Sequence, residues 1–156
     1  MSFSLRALAT AIVLPVLLAS LSACSSTVAL DPAADANNPA CAAVSVRLPD
    51  DIDGHAKRET NAQATGAWGT PTTVLLRCGL PPVTASKLPC VTAAGIDWLV
   101  DDSQKPSYRF ITFGRTPATE VIVDSKKVSG ITALEAVSGA VQELPSSRNC
   151  EEPASN

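Results

Sequence analysis

Residues 7–21 form the longest uncharged, largely apolar run in the chain, and it ends in Leu21-Ser22-Ala23-Cys24 before the polar Ser25, Ser26 and Thr27. From there to Ala40 the sequence is Ser, Ala, Asp, Asn and Pro, with only Val28 and Leu30 as sizeable apolar groups, the pattern of a flexible tether. Ala42, Ala43, Val44 and Leu48 then predict a short helix beginning near Cys41 and ended by Pro49. Residues 50–69 are polar and irregular. A continuous run over residues 72–78 predicts a buried strand, with Val74, Leu76 and Cys78 on one face and Thr73, Leu75 and Arg77 on the other. A second strand is predicted over residues 95–100, where Ile96, Trp98 and Val100 alternate with Asp97 and Leu99. Residues 109–113 and 119–123 read as a hairpin pair around the turn formers Gly114-Arg115-Thr116-Pro117. Ile131, Leu134, Val137, Val141 and Leu144 then recur at helical spacing, Thr132 and Glu135 stand at capping-box spacing, and Pro145 stops the run.

Together these elements predict an α+β fold: a two-layer sandwich of about four mostly antiparallel strands with two helices, because the connections are too short for several parallel crossovers. The predicted organisation is a leader over residues 1–23, a tether over 24–40, one domain over 41–150 and a disordered polar tail over 151–156.

The leader interpretation rests on its charge and length. Arg6 precedes the apolar run, which spans 15 residues and contains Pro15, whereas a membrane-spanning helix needs about 20 apolar residues. Small residues at Ala19-Ser20-Leu21 and Leu21-Ser22-Ala23 also suit ordinary secretory cleavage. The tetrapeptide ending at Cys24 has the form of a lipobox, which predicts a mature chain beginning at a diacylglyceryl-bearing Cys24 on the outer face of the cytoplasmic membrane. Several acyl chains would make that attachment effectively permanent. As a flexible coil the tether would hold its ends roughly 20 Å apart, with a limit of about 50 Å.

Removing residues 1–23 leaves 133 of 156 residues, and 11 Lys and Arg then face 15 Asp and Glu, a net charge of −4. This acidity argues against a nucleic-acid partner. Five aromatic residues remain, Trp68, Trp98, Tyr108, Phe110 and Phe113, too few for a base-stacking surface.

Beyond Cys24 the chain has four cysteines, an even set that predicts two disulfides in an exported domain. Three connectivities are open. The closeness of Cys78 to Cys90 around Gly79-Leu80-Pro81-Pro82 favours their pairing, leaving Cys41 with Cys150. No Cys-x-x-Cys occurs, so neither a zinc site nor any other metal or cofactor is expected.

His55 is the sole histidine, and it lies near Asp51 and Asp53. The spacing fits a calcium loop poorly, and the segment reads as a solvated loop. With no Gly-x-Ser-x-Gly and no His-Glu-x-x-His, no catalytic residue is assigned. Five residues are candidates for binding. Arg77 sits in an otherwise apolar strand, where its charge needs a partner such as Asp97, Glu120 or Asp124. Arg115 lies on a tight turn, placed to present a guanidinium fork to a carboxylate or phosphate. Trp98, Trp68 and Asp97 complete the set.

Trp68-Gly69, Leu76-Arg77-Cys78-Gly79, Gly95-Ile96-Asp97-Trp98 and Phe113-Gly114-Arg115-Thr116-Pro117, in this order and spacing, resemble an uncharacterised family of actinobacterial lipoproteins, domain of unknown function 3515. The resemblance covers roughly residues 41–150 and implies an actinobacterial envelope setting, with no reaction attached. The function expected is that of a membrane-anchored binding or scaffolding module that meets another envelope protein or a wall component. The alternatives are a small envelope hydrolase built on Asp97 or on Asp51, Asp53 and His55, and a carrier of an anionic or apolar ligand.

Overall fold

The computed structural model describes residues 26–150, so the leader, Cys24 and the tail over 151–156 lie outside the described residues. Eight strands form one sheet in which every named pairing is antiparallel: β1 (Asp51–Ile52), β2 (His55–Arg58), β3 (Thr65–Trp68), β4 (Val74–Leu80), β5 (Cys90–Ala93), β6 (Ile96–Gln104), β7 (Ser107–Thr112) and β8 (Ala118–Asp124). The spatial order β1-β2-β3-β4-β8-β7-β6-β5 joins two four-stranded meanders through β4 and β8. Among the described residues two helices, α1 (Pro39–Ser45) and α2 (Gly130–Val141), complete the α+β architecture.

The expected four strands become eight because half of them lack an apolar signature. Both β1–β2 and β5–β6 turn on two residues with positive φ, Asp53-Gly54 at 53° and 79° and Ala94-Gly95 at 47° and 75°. This backbone suits the twist of a tight hairpin, so the segment around His55 is a hairpin rather than an irregular loop. In β3 all four residues are buried, and Thr65, Gly66 and Ala67 are small where Trp68 is large. A Cβ at Gly66 would stand 2.7 Å from the Trp68 ring, so only glycine fits beneath that indole.

Alternation along the central strands separates two faces. Val74, Leu76, Cys78, Val121, Val123, Trp98 and Phe110 point toward the helices and join Val44, Leu134, Val137 and Val141 in one core. α1 is capped by Asn38, whose side chain accepts from the Ala40 amide at 3.0 Å, with Pro39 opening the helix. α2 starts earlier than its sequence pattern suggests: Ser129, not Thr132, is the N-cap, and Ile131 is exposed while Leu134, Val137 and Val141 are buried.

Two disulfides are present, with a connectivity different from the expected one. Cys41 bonds Cys78, and Cys90 bonds Cys150. Cys78 and Cys90 are neighbours in sequence only. β4 and β5 are four strand spacings apart, roughly 19 Å. Cys78 also faces the helices, whereas Cys90, paired with Leu99, faces the other side. The connection over residues 81–89 crosses between them, and its Val83 packs on the cluster of Leu99, Ile111 and Ala118.

The described part of the expected tether is bound to the domain. Val28 bridges Thr60 in parallel, with its amide donating to the Glu59 carbonyl at 2.9 Å. The Leu30 amide donates to Asn61 Oδ1 at 2.7 Å, and the Asp35 amide donates to the Gly79 carbonyl at 3.0 Å. Composition suggests a free coil here. The backbone hydrogen bonds make it a strap along the sheet.

Candidate functional site

The strap and the face of the sheet turned away from the helices enclose a cleft of about 260 Å³. Leu30 and Asp31 contribute from the strap, Leu75 and Arg77 from β4, and Glu120 and Ile122 from β8. Period-two alternation places these β4 and β8 side chains on the cleft face, opposite Val74, Leu76, Val121 and Val123.

Glu120 anchors the polar part of this face. Its side chain is 3% exposed, and Oε1 accepts from Arg77 Nε at 2.6 Å while also pairing with Arg77 Nη2. Arg109 Nε, arriving from β7, pairs with the other carboxylate oxygen. Both arginine side chains remain 37% exposed, so each guanidinium is oriented by the buried carboxylate and still reaches solvent. Across the next strand Arg109 is in register with Asp101 on β6. The Ser103 hydroxyl and amide chiefly hold Asp101 below the ordinary carboxylate range, with Arg109 adding to the effect. Four adjacent strands therefore present Arg77, Glu120, Arg109 and Asp101 as alternating charge.

Of the residues singled out from sequence, Arg77 alone lies in this cleft; Trp98, Trp68, Arg115 and Asp97 do not join it. Trp68 and Trp98 are fully buried in the helix-side core, and Trp68 Nε1 donates to the Pro49 carbonyl at 2.9 Å. Arg115 is 9% exposed and caps α2: Nη1 donates to the Leu144 carbonyl at 2.6 Å and lies 3.5 Å from the Gln142 carbonyl. Burial draws its guanidinium below the ordinary arginine value, while the Asp97 carboxylate opposes the shift. Asp97 accepts from Thr92 Oγ1 at 2.6 Å and from the Cys150 amide at 2.7 Å. Asp51 accepts from the Gly54 amide at 2.7 Å and holds the β1–β2 turn. His55 on β2 and Asp97 on β6 are separated by β3, β4, β8 and β7, so the two hydrolase groupings remain apart.

Cys90, Asp97 and Cys150 have donor types found in metal centres and cluster within 4.8 Å, but the two sulfurs are bonded to each other. Arg109 was not among the sequence candidates. Its signal was a cation at the foot of an apolar strand, on the same face as Glu120.

Replacing Arg115 with alanine is expected to cost about 2 kcal/mol, since it removes a charged donor from the buried Leu144 carbonyl. Urea unfolding checks this, and an unchanged midpoint would refute the capping role.

The family model described as protein of unknown function (DUF3515) matches residues 5–149. The chain belongs to that family. Comparison with curated proteins and with solved structures finds no match. The strings that pointed to DUF3515 in the sequence serve structural tasks in this chain. Trp68 fills the core, Cys78 is bonded to Cys41, Asp97 ties down Cys150, and Arg115 closes α2. In this DUF3515 member the named strings are chiefly a folding signature, and the cleft draws Leu76 and Arg77 from them.

Proposed function

We propose that this DUF3515 protein is a lipid-anchored, non-enzymatic module of the bacterial cell envelope that binds another exported protein through the cleft lined by Arg77 and Glu120 together with Arg109 beside it. The alternating charge row carries the reading. A carboxylate shared by two part-exposed arginines leaves a single net positive charge, Asp101 offsets it, and Asp31 on the strap adds a further negative charge. Such a row is poorly suited to concentrating a free anion and well suited to a partner surface offering matching pairs, where charge order provides specificity. The apolar Leu30, Leu75 and Ile122 beside it supply area that a partner would bury.

The anchoring half of the proposal is supported by Leu21-Ser22-Ala23-Cys24, which lies inside the family match, and by two disulfides suited to an oxidising compartment. In the native host, Cys24→Ser is expected to move the protein from the membrane fraction to the soluble exported fraction. Crosslinking in intact cells should recover one envelope partner with the wild type and lose it with Arg77→Ala/Arg109→Ala. A partner retained by the double variant, or a Cys24→Ser protein still sedimenting with membranes, would refute the corresponding half.

A further inference from the structure

The anchor-proximal chain leaves the domain at one end of the strands. Arg58 Nη2 donates to the Ser26 carbonyl and hydroxyl, while Arg58 Nη1 donates to the Gly69 carbonyl at 3.3 Å and to Thr72 Oγ1 at 3.2 Å. Ser26 is thus held beside the β3–β4 turn. That turn shares its end of the sheet with two others: the Asp124 amide donates to the Thr73 carbonyl, and the Ser125 amide to the Pro106 carbonyl. Exposed Lys105, Lys126 and Lys127 stand on these turns, with Asp102 and Asp124 offsetting part of their charge.

We infer that this end of the sheet, formed by the β3–β4 turn, the β6–β7 turn around Pro106 and residues 124–127, faces the phospholipid headgroups in a fixed pose. The inference rests on the proposed lipidation of Cys24. Covalent reach carries it. Ser26 is two residues from Cys24 and Val28 is four, so in any conformation their separations from the anchor cannot exceed about 7 and 14 Å. The headgroup layer itself is roughly 5–7 Å deep on each side of a bilayer. A domain bound to its own strap this close to the lipid cannot float at the distance a free sixteen-residue coil would allow, and the end carrying Ser26 is necessarily the nearest. The lysines there gain from anionic headgroups while the acidic remainder of the domain points away.

The two tryptophans report this pose, because they sit at different levels of the sheet. Trp68 is in register, through Val74 and Val123, with Tyr108 on β7, whereas Trp98 pairs with Thr112 four residues further along, about 13 Å farther from the proposed contact end. The lipidated protein would be reconstituted into phosphatidylcholine and phosphatidylglycerol vesicles carrying a nitroxide at the headgroup. Trp98→Phe leaves Trp68 as reporter and removes no described hydrogen bond; Trp68→Phe leaves Trp98. Quenching of Trp68 is expected to exceed that of Trp98 by about twofold or more, given their separation along the strands. Should a phenylalanine variant misfold, the wild-type chain with a ten-residue Gly-Ser insertion between Ser25 and Ser26 gives a second measurement. The added coil of roughly 17 Å should lower total quenching. Equal quenching of the two reporters, or no change on insertion, with mass spectrometry showing diacylglyceryl on Cys24, would overturn the pose and leave the anchoring intact. An unmodified Cys24 and a protein that stays in the aqueous phase would overturn both.

Discussion

Replacing Cys41 and Cys78 together with alanine is expected to destabilise the protein by about 4 kcal/mol, the chain-entropy value for opening a loop of this size. The bridge closes a sequence separation of 37 residues and fastens α1 to the centre of the sheet through β4. Both cysteines are fully buried, so the paired substitution also leaves unfilled volume in the main core, which adds to the loss. Cys90–Cys150 spans 60 residues, and the same model assigns it slightly more. Its removal is nevertheless expected to cost less. Cys90 and Cys150 are only partly buried, and reduction releases a terminal segment still held by Ser147 and Arg115 contacts with the domain. Thermal unfolding of the two double-alanine proteins under identical conditions checks the order. For a domain of this size the Cys41/Cys78 variant should melt more than about 10 °C below the wild type. Equal losses, or a greater loss for Cys90/Cys150, would overturn the order, and a Cys41/Cys78 variant melting with the wild type would show that α1 is held by packing alone.

The same contrast explains how far the sequence could be read. β4, β6, β7 and β8 were legible because each carries apolar residues on the helix side at period two. α2 was legible because Leu134, Val137 and Val141 repeat at helical spacing. β2 is His-Ala-Lys-Arg and β3 is Thr-Gly-Ala-Trp; neither alternates, since one lies near an edge and the other needs small residues under Trp68. The Asp53-Gly54 pair was a readable hairpin signal, whereas Ala94-Gly95 was not, because alanine seldom adopts positive φ. The strap was illegible because backbone bonds hold it, and composition carries no record of those. Disulfide pairing failed for a related reason: it depends on strand order and face, and nearness in sequence encodes neither. At the candidate site Arg77 was found through the cost of a charge in an apolar strand. Its partner Glu120 was named among three carboxylates, and the structure selects it by placing it directly opposite in register.

Glu120→Ala is expected to lower stability by about 2–3 kcal/mol and to abolish partner capture. Removing one member of a buried ion pair commonly costs about 3–5 kcal/mol, because the remaining charge is stranded. Here the cost is smaller, since both arginine side chains are 37% exposed and can turn toward water once the carboxylate is gone. The lost orientation matters more for binding than for folding. Without Glu120, Arg77 on β4 and Arg109 on β7 face each other across β8 with no shared acceptor, and two flexible guanidinia replace a fixed pair. The apolar triple Arg77→Met/Glu120→Leu/Arg109→Met separates the two roles. Exchanging a complete ionic group for packed hydrocarbon is often neutral or stabilising, so this protein should unfold within about 1 kcal/mol of the wild type yet recover no partner. Urea midpoints and crosslinking yield, measured on the same preparations, test both statements. If the triple variant captured the partner as well as the wild type does, the charge row would be a support of the sheet, and the binding surface would have to lie elsewhere.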